Sequence, residues 1–233
     1  MRITTVGLDA DDTLWHNEGI FRLTQDRFRA LLADWAPVEV LNARLAEIER
    51  RNLALYGYGV KGFTLSMIET AMEVTEHRAP GRLVAELLAA GRDMLAHPVE
   101  PLPGVEAALD HLSQSHRLVL ITKGDLLHQE QKLAASGLGD LFAAVEIVSE
   151  KDAATYERVF ARHGTGAAQA AMCGNSMRSD ILPALKAGAF AAYIPYPLTW
   201  EHELAEAPTD EPRYRETSTL AEAADWLIEL GGG

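Results

Sequence analysis

Near its start the chain carries three acids behind a short apolar run, in the stretch TTVGLDADDTLW, at positions 9, 11 and 12. Carboxylates this close repel one another, so the segment either faces a cation or forms an exposed turn. Side chains two apart in extended backbone point the same way, which directs Asp9 and Asp11 toward one pocket. A calcium loop of the EF-hand kind needs glycine at its sixth position, and that residue here is Leu14. Other polar groups follow later apolar runs. They are Thr122-Lys123-Gly124, then Ser149-Glu150-Lys151, then Gly174-Asn175-Ser176-Met177-Arg178-Ser179-Asp180. Together these stretches supply carboxylates, hydroxyls and lysines, the groups needed to handle a small anion with the help of a cation.

The elements that must position these residues can be read from periodicity. Residues 3–8 form a short buried strand stopped by charge. From about Gly19 the period becomes helical, and four apolar stripes follow. They are Ile20, Leu23, Phe28, Leu31, Leu32 and Trp35; Val38, Leu41, Leu45, Ile48 and Leu55; Phe63, Met67, Ile68 and Ala71; and Leu83, Val84, Leu87, Leu88 and Leu95. Four such helices in a row predict a small bundle.

Beyond HPVEPLPG the pattern changes to strands at 117–122, 144–149, 168–174 and 189–195, alternating with helices. Asp125 and Asp152 are placed to cap two of these helices, Gly137 to stop one, and a helix over 219–230 closes the chain. Alternation of this kind predicts a Rossmann-like α/β parallel sheet, with the bundle inserted after its first strand. The expected division is a core of 1–15 and 100–233 and a helical insertion of 16–99, with crossings near 14–19 and 96–103. The polar stretch 199–212 reads as a loop and the terminal Gly-Gly-Gly as a frayed end. In an open parallel sheet, ligands bind beyond the carboxyl ends of the strands, which is where all four polar stretches fall.

A net charge of -13, with no cluster of Lys and Arg, argues against a nucleic-acid partner. No apolar run approaches the ~18 residues of a membrane span, and the first run meets Asp9 too soon for a signal peptide. A single cysteine, Cys173, fits a reducing, cytoplasmic setting and reads as a small buried hydrophobe. The eight histidines show no zinc-ligand spacing.

The order DxDxTL, an apolar strand ending in Thr, a lysine some thirty residues later, then GNSxxSD resembles the haloacid dehalogenase superfamily, in its phosphatase branch. The likeness spans nearly the whole chain, and the inserted helices are similar to the helical cap of that superfamily. It implies hydrolysis of a small phosphorylated metabolite through an aspartyl-phosphate, with Mg2+ as cofactor. Asp9 is then the nucleophile and Asp11 the general acid and base. Thr122, with the backbone at Lys123 and Gly124, is implied to bind the phosphoryl group, Lys151 to neutralise it, and Thr13 to support the nucleophile loop. The metal falls to Asp9, the Asp11 carbonyl, Asp180 and Asn175.

Two positions depart from the superfamily's pattern. Asn175 stands where an acid is common, which removes a charge from the metal site. Lys151 is followed by Asp152 where proline is usual. In the stretch YGYGVKGF the glycines suit a tight helix connection, while by resemblance Lys61, Tyr58 or Tyr56 reads the substrate. A 2-haloacid dehalogenase of the same fold would need neither the second aspartate nor the metal. A catalytically silent binding protein is the other alternative, and Asn175 speaks for it.

Overall fold

The computed structural model describes residues 2–200 and 203–231, so that Gly232 and Gly233 of the terminal glycines, and Glu201 and His202 of the polar loop, lie outside the described residues. Six strands form one parallel sheet: β1 Thr5–Leu8, β2 Arg117–Lys123, β3 Ala144–Val148, β4 Ala170–Gly174, β5 Phe190–Tyr193 and β6 Tyr214–Glu216. Their order is β3-β2-β1-β4-β5-β6. The order reverses between β1 and β4, so the loops after these two strands diverge and leave a crevice at the sheet's carboxyl edge.

The helices are α1 Glu18–Leu32, α2 Val38–Tyr56, α3 Val60–Val74, α4 Gly81–Leu95, α5 Val105–Ser113, α6 Leu126–Ser136, α7 Ala153–His163, α8 Leu182–Lys186 and α9 Leu220–Gly231. By contacts the chain divides into two compact units. One comprises 1–18, 99–123 and 129–233; the other comprises 19–98 with 124–128.

The sheet unit is buried on both faces, and β2 shows why its sequence is a continuous apolar run. Leu118 and Leu120 point to the layer built with Val105, Leu109, Leu112, Ala223 and Leu227 of α5 and α9. Val119 and Ile121 point the other way, to Tyr156, Val159 and Phe160 of α7. A strand covered on both faces has no polar side to show. Cys173 is fully buried in β4, as its surroundings required.

At the end of β1 the chain makes a tight reversal, with Leu14 N–H on Ala10 O at 2.8 Å and Asp12 N–H on Trp15 O at 2.8 Å. The outgoing and returning segments then run side by side, through Leu102 N–H on Leu14 O and His16 N–H on Glu100 O.

In the helical unit a core of Phe28, Leu32, Leu41, Leu45, Val60, Phe63, Met67, Leu83, Leu87 and Met94 joins all four helices. Five residues of the expected stripes are exposed: Leu23, Trp35, Val38, Leu55 and Leu88. Trp35 lies beyond the end of α1, and Val38 and Leu55 fall in the terminal turns of α2. Leu88 follows Leu87 by one residue, about 100° round the helix. Gly91 of α4 allows close approach to α3: a Cβ there would sit 2.3 Å from Thr64 Oγ1.

Two elements went unforeseen. β6 is three residues, Tyr-Arg-Glu, too short and polar for a pattern to reveal. After β4 the segment SDILPALKAG is not one regular helix: a π-helical turn, Met177–Ile181, is followed by the short α8. Pro183, near the start of α8, has no N–H to offer the preceding turn.

Candidate active site

The end of β2 and the loops after β1, β3 and β4 bring Asp9, Asp11, Thr13, Thr122, Lys123, Lys151, Asn175 and Asp180 to one edge of the sheet unit. Asp9 follows the last residue of β1 and its N–H donates to Cys173 O at 2.9 Å, which fixes it against β4. Its Oδ1 accepts from Lys151 Nζ, and its Oδ2 accepts from Thr13 Oγ1 at 3.2 Å. Lys151 donates also to Asp180 Oδ1 at 2.7 Å, so one ammonium bridges two buried carboxylates. Burial drives the Asp9 carboxyl above the ordinary carboxylate range; Lys151 works against this, and Asp180 and Asp11 add to it. Burial by itself would depress Lys151, yet the charges of Asp180 and Asp9 outweigh it and hold the ammonium protonated.

Asp180 is wholly enclosed. Its second oxygen accepts the Ser176 N–H at 2.9 Å, and a side chain at Gly174 would collide with it, a Cβ lying 2.2 Å from Oδ2. Both of its oxygens thus take protein donors, Lys151 and Ser176 N–H. Asp180, which the resemblance gives to the metal, lies within reach of the Lys151 ammonium that also holds Asp9.

Asp11 accepts from Trp15 Nε1 at 2.7 Å, Lys132 Nζ at 2.5 Å and Gln129 Nε2 at 3.3 Å. Thr122 is 1% exposed; its hydroxyl accepts from Gln129 at 2.7 Å and donates to Lys123 O at 3.2 Å. Gln129 therefore links the expected proton carrier to the expected phosphate ligand, and Lys132 ties Asp11 to Asn17 Oδ1 at 3.2 Å. Gln129 and Lys132 lie on one face of α6, three residues apart, a spacing that a search of strand ends passes over.

Asp12, the acid without an assigned role, sits at φ 62, a region that suits Asp and Asn better than most residues. Its carboxylate receives the N–H groups of Asn17 and Glu18 at 2.8–3.1 Å and so caps the start of α1. Burial lifts its pKa to about 7, against the pull of those two N–H groups.

Lys123 donates to Ser179 Oγ at 2.7 Å and to Glu203 Oε1 at 2.9 Å. Glu203 also accepts from the Ser176 and Ser179 hydroxyls. Burial alone would raise its pKa, but Lys123 and the two serines prevail and bring it down to about 2. The polar loop of the sequence thus borders the site. Glu203 carried no motif to mark it, and only the fold brings it to Lys123.

Lys61 and Tyr58 lie in the helical unit. There Lys61 Nζ meets both oxygens of Asp125 at 2.9 Å, and a Cβ at Gly59, whose φ is 110, would sit 3.3 Å from Asp125 N. Asp125 accepts the His128 N–H at 3.1 Å, the capping expected of it, and Lys61 foremost holds its pKa below the usual value. Gly124, at φ 135, turns the chain from β2 into this segment. Tyr58 is half-buried in the connection between α2 and α3, and Tyr56 at the end of α2 donates to Glu69 Oε1 at 3.4 Å.

Among the described residues no group of three or more His, Cys, Asp or Glu is arranged to hold a metal. At Asn175 the carboxamide nitrogen faces Asp9 Oδ2 and the Asp11 carbonyl at 3.2 Å and Thr13 Oγ1 at 3.1 Å, and donates to them. The carboxylate of Asp9 and the carbonyl of Asp11, which share this nitrogen, are oxygen donors of the kind Mg2+ prefers.

A buried carboxylate at the switch point of a parallel α/β sheet, bridged by lysine to a second one, defines a hydrolase-type site on a Rossmann-like core. The haloacid dehalogenase-like hydrolase family matches over residues 3–188, and the chain belongs to it. It is 43% identical to a haloacid dehalogenase-like family hydrolase from Xanthomonas campestris, with TM-score 0.87 over 99% of this chain and 94% of that one. Two more distant structures share the fold. A HAD-hydrolase from Bacillus subtilis bound to magnesium is 18% identical, with TM-score 0.65 over 97% of this chain and 99% of that one. The L-2-haloacid dehalogenase of Xanthobacter autotrophicus is 16% identical, with TM-score 0.66 over 97% and 98%. No curated protein matches the chain. No described helix is long and apolar enough to cross a membrane.

Proposed function

We propose that the protein is a Mg2+-dependent phosphomonoester hydrolase, acting on a small phosphorylated metabolite through an aspartyl-phosphate at Asp9. The observation that carries this reading is the charge at the site. Asp9, Asp11, Asp180 and Glu203 are four carboxylates, and the ammonium groups of Lys151, Lys132 and Lys123 are each already paired with one or two of them. A phosphate dianion entering such a site needs more positive charge than the side chains provide, and the oxygens of Asp9 and Asp11 are donors a cation can take. Mg2+ held by Asp9, the Asp11 carbonyl, Asp180 and Asn175 would supply Lewis-acid charge to the phosphoryl oxygens.

Asp9 attacks phosphorus in line; its carboxylate oxygen forms the new P–O bond as the bond to the ester oxygen breaks. The departing alkoxide takes a proton from Asp11, which then removes one from the water that cleaves the acyl phosphate and restores Asp9. To do this Asp11 must exchange its contacts with Lys132 and Trp15 for substrate. Lys151 keeps Asp9 oriented, and the hydroxyl of Thr122, released from Gln129, receives a phosphoryl oxygen. We assign the helical unit the part of a cap whose connection, with Lys61 and Tyr58, selects the ester's organic portion.

A second reading is supported by Asn175. Its amide can donate to Asp9 Oδ2, so the nucleophile has a partner without a cation, as suits attack on carbon by a 2-haloacid dehalogenase. Hydrolysis of a panel of phosphate monoesters, with Mg2+ and with a chelator, tests both. Chelator-sensitive release of phosphate is expected; chelator-insensitive halide release from 2-chloropropionate, with no phosphate released, would replace the first reading by the second.

A further inference from the structure

Glu203 stands in the loop after β5 and belongs to no motif, yet its carboxylate ties two parts of the site together. Its Oε1 accepts from Lys123 Nζ at 2.9 Å, and its Oε2 accepts from the hydroxyls of both Ser176 and Ser179. The same ammonium donates to Ser179 Oγ at 2.7 Å, which closes a ring of carboxylate, ammonium and hydroxyl. Lys123 ends β2 and is paired there with Val148 of β3, so the sheet fixes this side of the ring. Ser176 and Ser179 belong instead to the turn after β4, between the site residues Asn175 and Asp180.

That turn depends on outside support. It is π-helical, with Ile181 N–H reaching back to Ser176 O at 3.2 Å, and such turns are rare in general and recurrent at functional sites. The strands beside it are held by their ladders, whereas side chains hold the turn. Ser176 Oγ accepts the Ser179 N–H at 2.9 Å, the buried Tyr156 donates to Ser179 O at 2.9 Å, and Glu203 receives both serine protons. A carboxylate suits this task because its two oxygens only accept, one facing the ammonium and one the two hydroxyls. Next to Ser179 is Asp180, wholly enclosed, whose Oδ1 accepts from the lysine that also holds Asp9.

We propose that Glu203 is a positioning residue for the reaction at Asp9, acting through Ser176 and Ser179 to hold the turn that carries Asp180. The inference rests on Asp9 as the nucleophile and applies to attack on phosphorus and on carbon alike. The influence of Glu203 passes from Ser179 to its neighbour Asp180, from Asp180 to Lys151, and from Lys151 to Asp9. A displacement of reacting groups by ~1 Å costs about 100-fold in rate. The loss on removing Glu203 therefore falls on kcat, while KM, set by the Thr122 loop that the sheet fixes, changes little.

Glu203→Ala tests this with p-nitrophenyl phosphate and MgCl2, well below the unfolding temperature and with the fold checked by circular dichroism. We expect kcat to fall about 10- to 100-fold, with KM within about threefold of wild type. Glu203→Gln should recover most of kcat, since its amide oxygen still accepts from both serines. Glu203→Ala combined with Ser179→Ala should lose no more than Glu203→Ala alone, because both break one linkage. A raised KM at unchanged kcat, unaltered turnover, or losses that multiply in the double variant would each overturn the proposal. Backbone hydrogen exchange gives a readout that needs no turnover. In Glu203→Ala the Asp180 and Ile181 N–H groups should exchange about tenfold faster or more, with those of β1 as in wild type. Unchanged exchange there overturns the clamp. If the wild type cleaves no phosphate ester, the phosphatase reading falls by itself, and the clamp is decided by this exchange.

Discussion

At the scale of single residues, the site is a set of charges that are stable only in combination. Asp9 is buried between Lys151 and Thr13, and replacement by asparagine preserves its shape while removing the nucleophilic oxygen. Asp9→Asn is expected to keep the folded state, by circular dichroism, and to lose at least ~1,000-fold in turnover; hydrolysis near the wild-type rate would remove Asp9 from the mechanism. Glu203 makes a different prediction, about stability. Its pKa is brought from 4.5 down to about 2 in the folded protein, so its ionised contacts stabilise the fold fully above pH 4.5 and are lost as the pH falls toward 2. Denaturant unfolding of wild type and Glu203→Gln should therefore differ by ~1–2 kcal/mol at pH 6, with the gap narrowing below pH 4.5 and closing only below about pH 2. A gap independent of pH would mean that the Lys123–Glu203 pair contributes no charge energy. The motif residues were legible in the sequence because each follows a strand. Gln129, Lys132 and Glu203 were not, because their importance comes from which elements the fold brings together.

At the scale of elements, sequence periodicity served best where burial is two-sided. β2 is apolar throughout because Leu118 and Leu120 face one helical layer while Val119 and Ile121 face the other. The bundle stripes were legible in their centres and misleading at their ends, where Trp35, Val38 and Leu55 fall in terminal turns or beyond them. β6 and the π-helical turn at Met177–Ile181 leave no periodic trace at their length. Close helix contact is equally invisible to periodicity, and Gly91 is the instructive position. Helix propensity alone predicts that alanine there stabilises α4 by ~1 kcal/mol. The new methyl, however, would stand 2.3 Å from Thr64 Oγ1 and 2.9 Å from Thr64 Cγ2, and that hydroxyl is committed to Val60 O at 2.7 Å. We expect Gly91→Ala to destabilise the protein by ~1–3 kcal/mol in thermal or denaturant unfolding, with Thr64→Ala restoring most of the loss in the double variant. A stabilised single variant would show that α3 and α4 separate at little cost.

At the scale of the whole molecule, the relevant quantity is the field that an anionic substrate meets on approach. The chain carries a net charge of -13, and the lysines of the site are bound to carboxylates. A phosphate ester is therefore repelled at long range and held only at short range, once a cation and the Thr122 loop can reach it. Added salt should act mainly on the repulsion, because the Debye length contracts from ~30 Å at 0.01 M to ~8 Å at 0.15 M, longer than any contact within the site. At fixed free Mg2+, kcat/KM for a phosphomonoester dianion is expected to rise about two- to threefold over that range of KCl, with kcat unchanged. An electrostatically steered enzyme loses kcat/KM steeply over the same interval. A steep loss here would mean that the pocket presents net positive charge to solvent, and that the pairing of Lys123, Lys132 and Lys151 opens before the substrate binds.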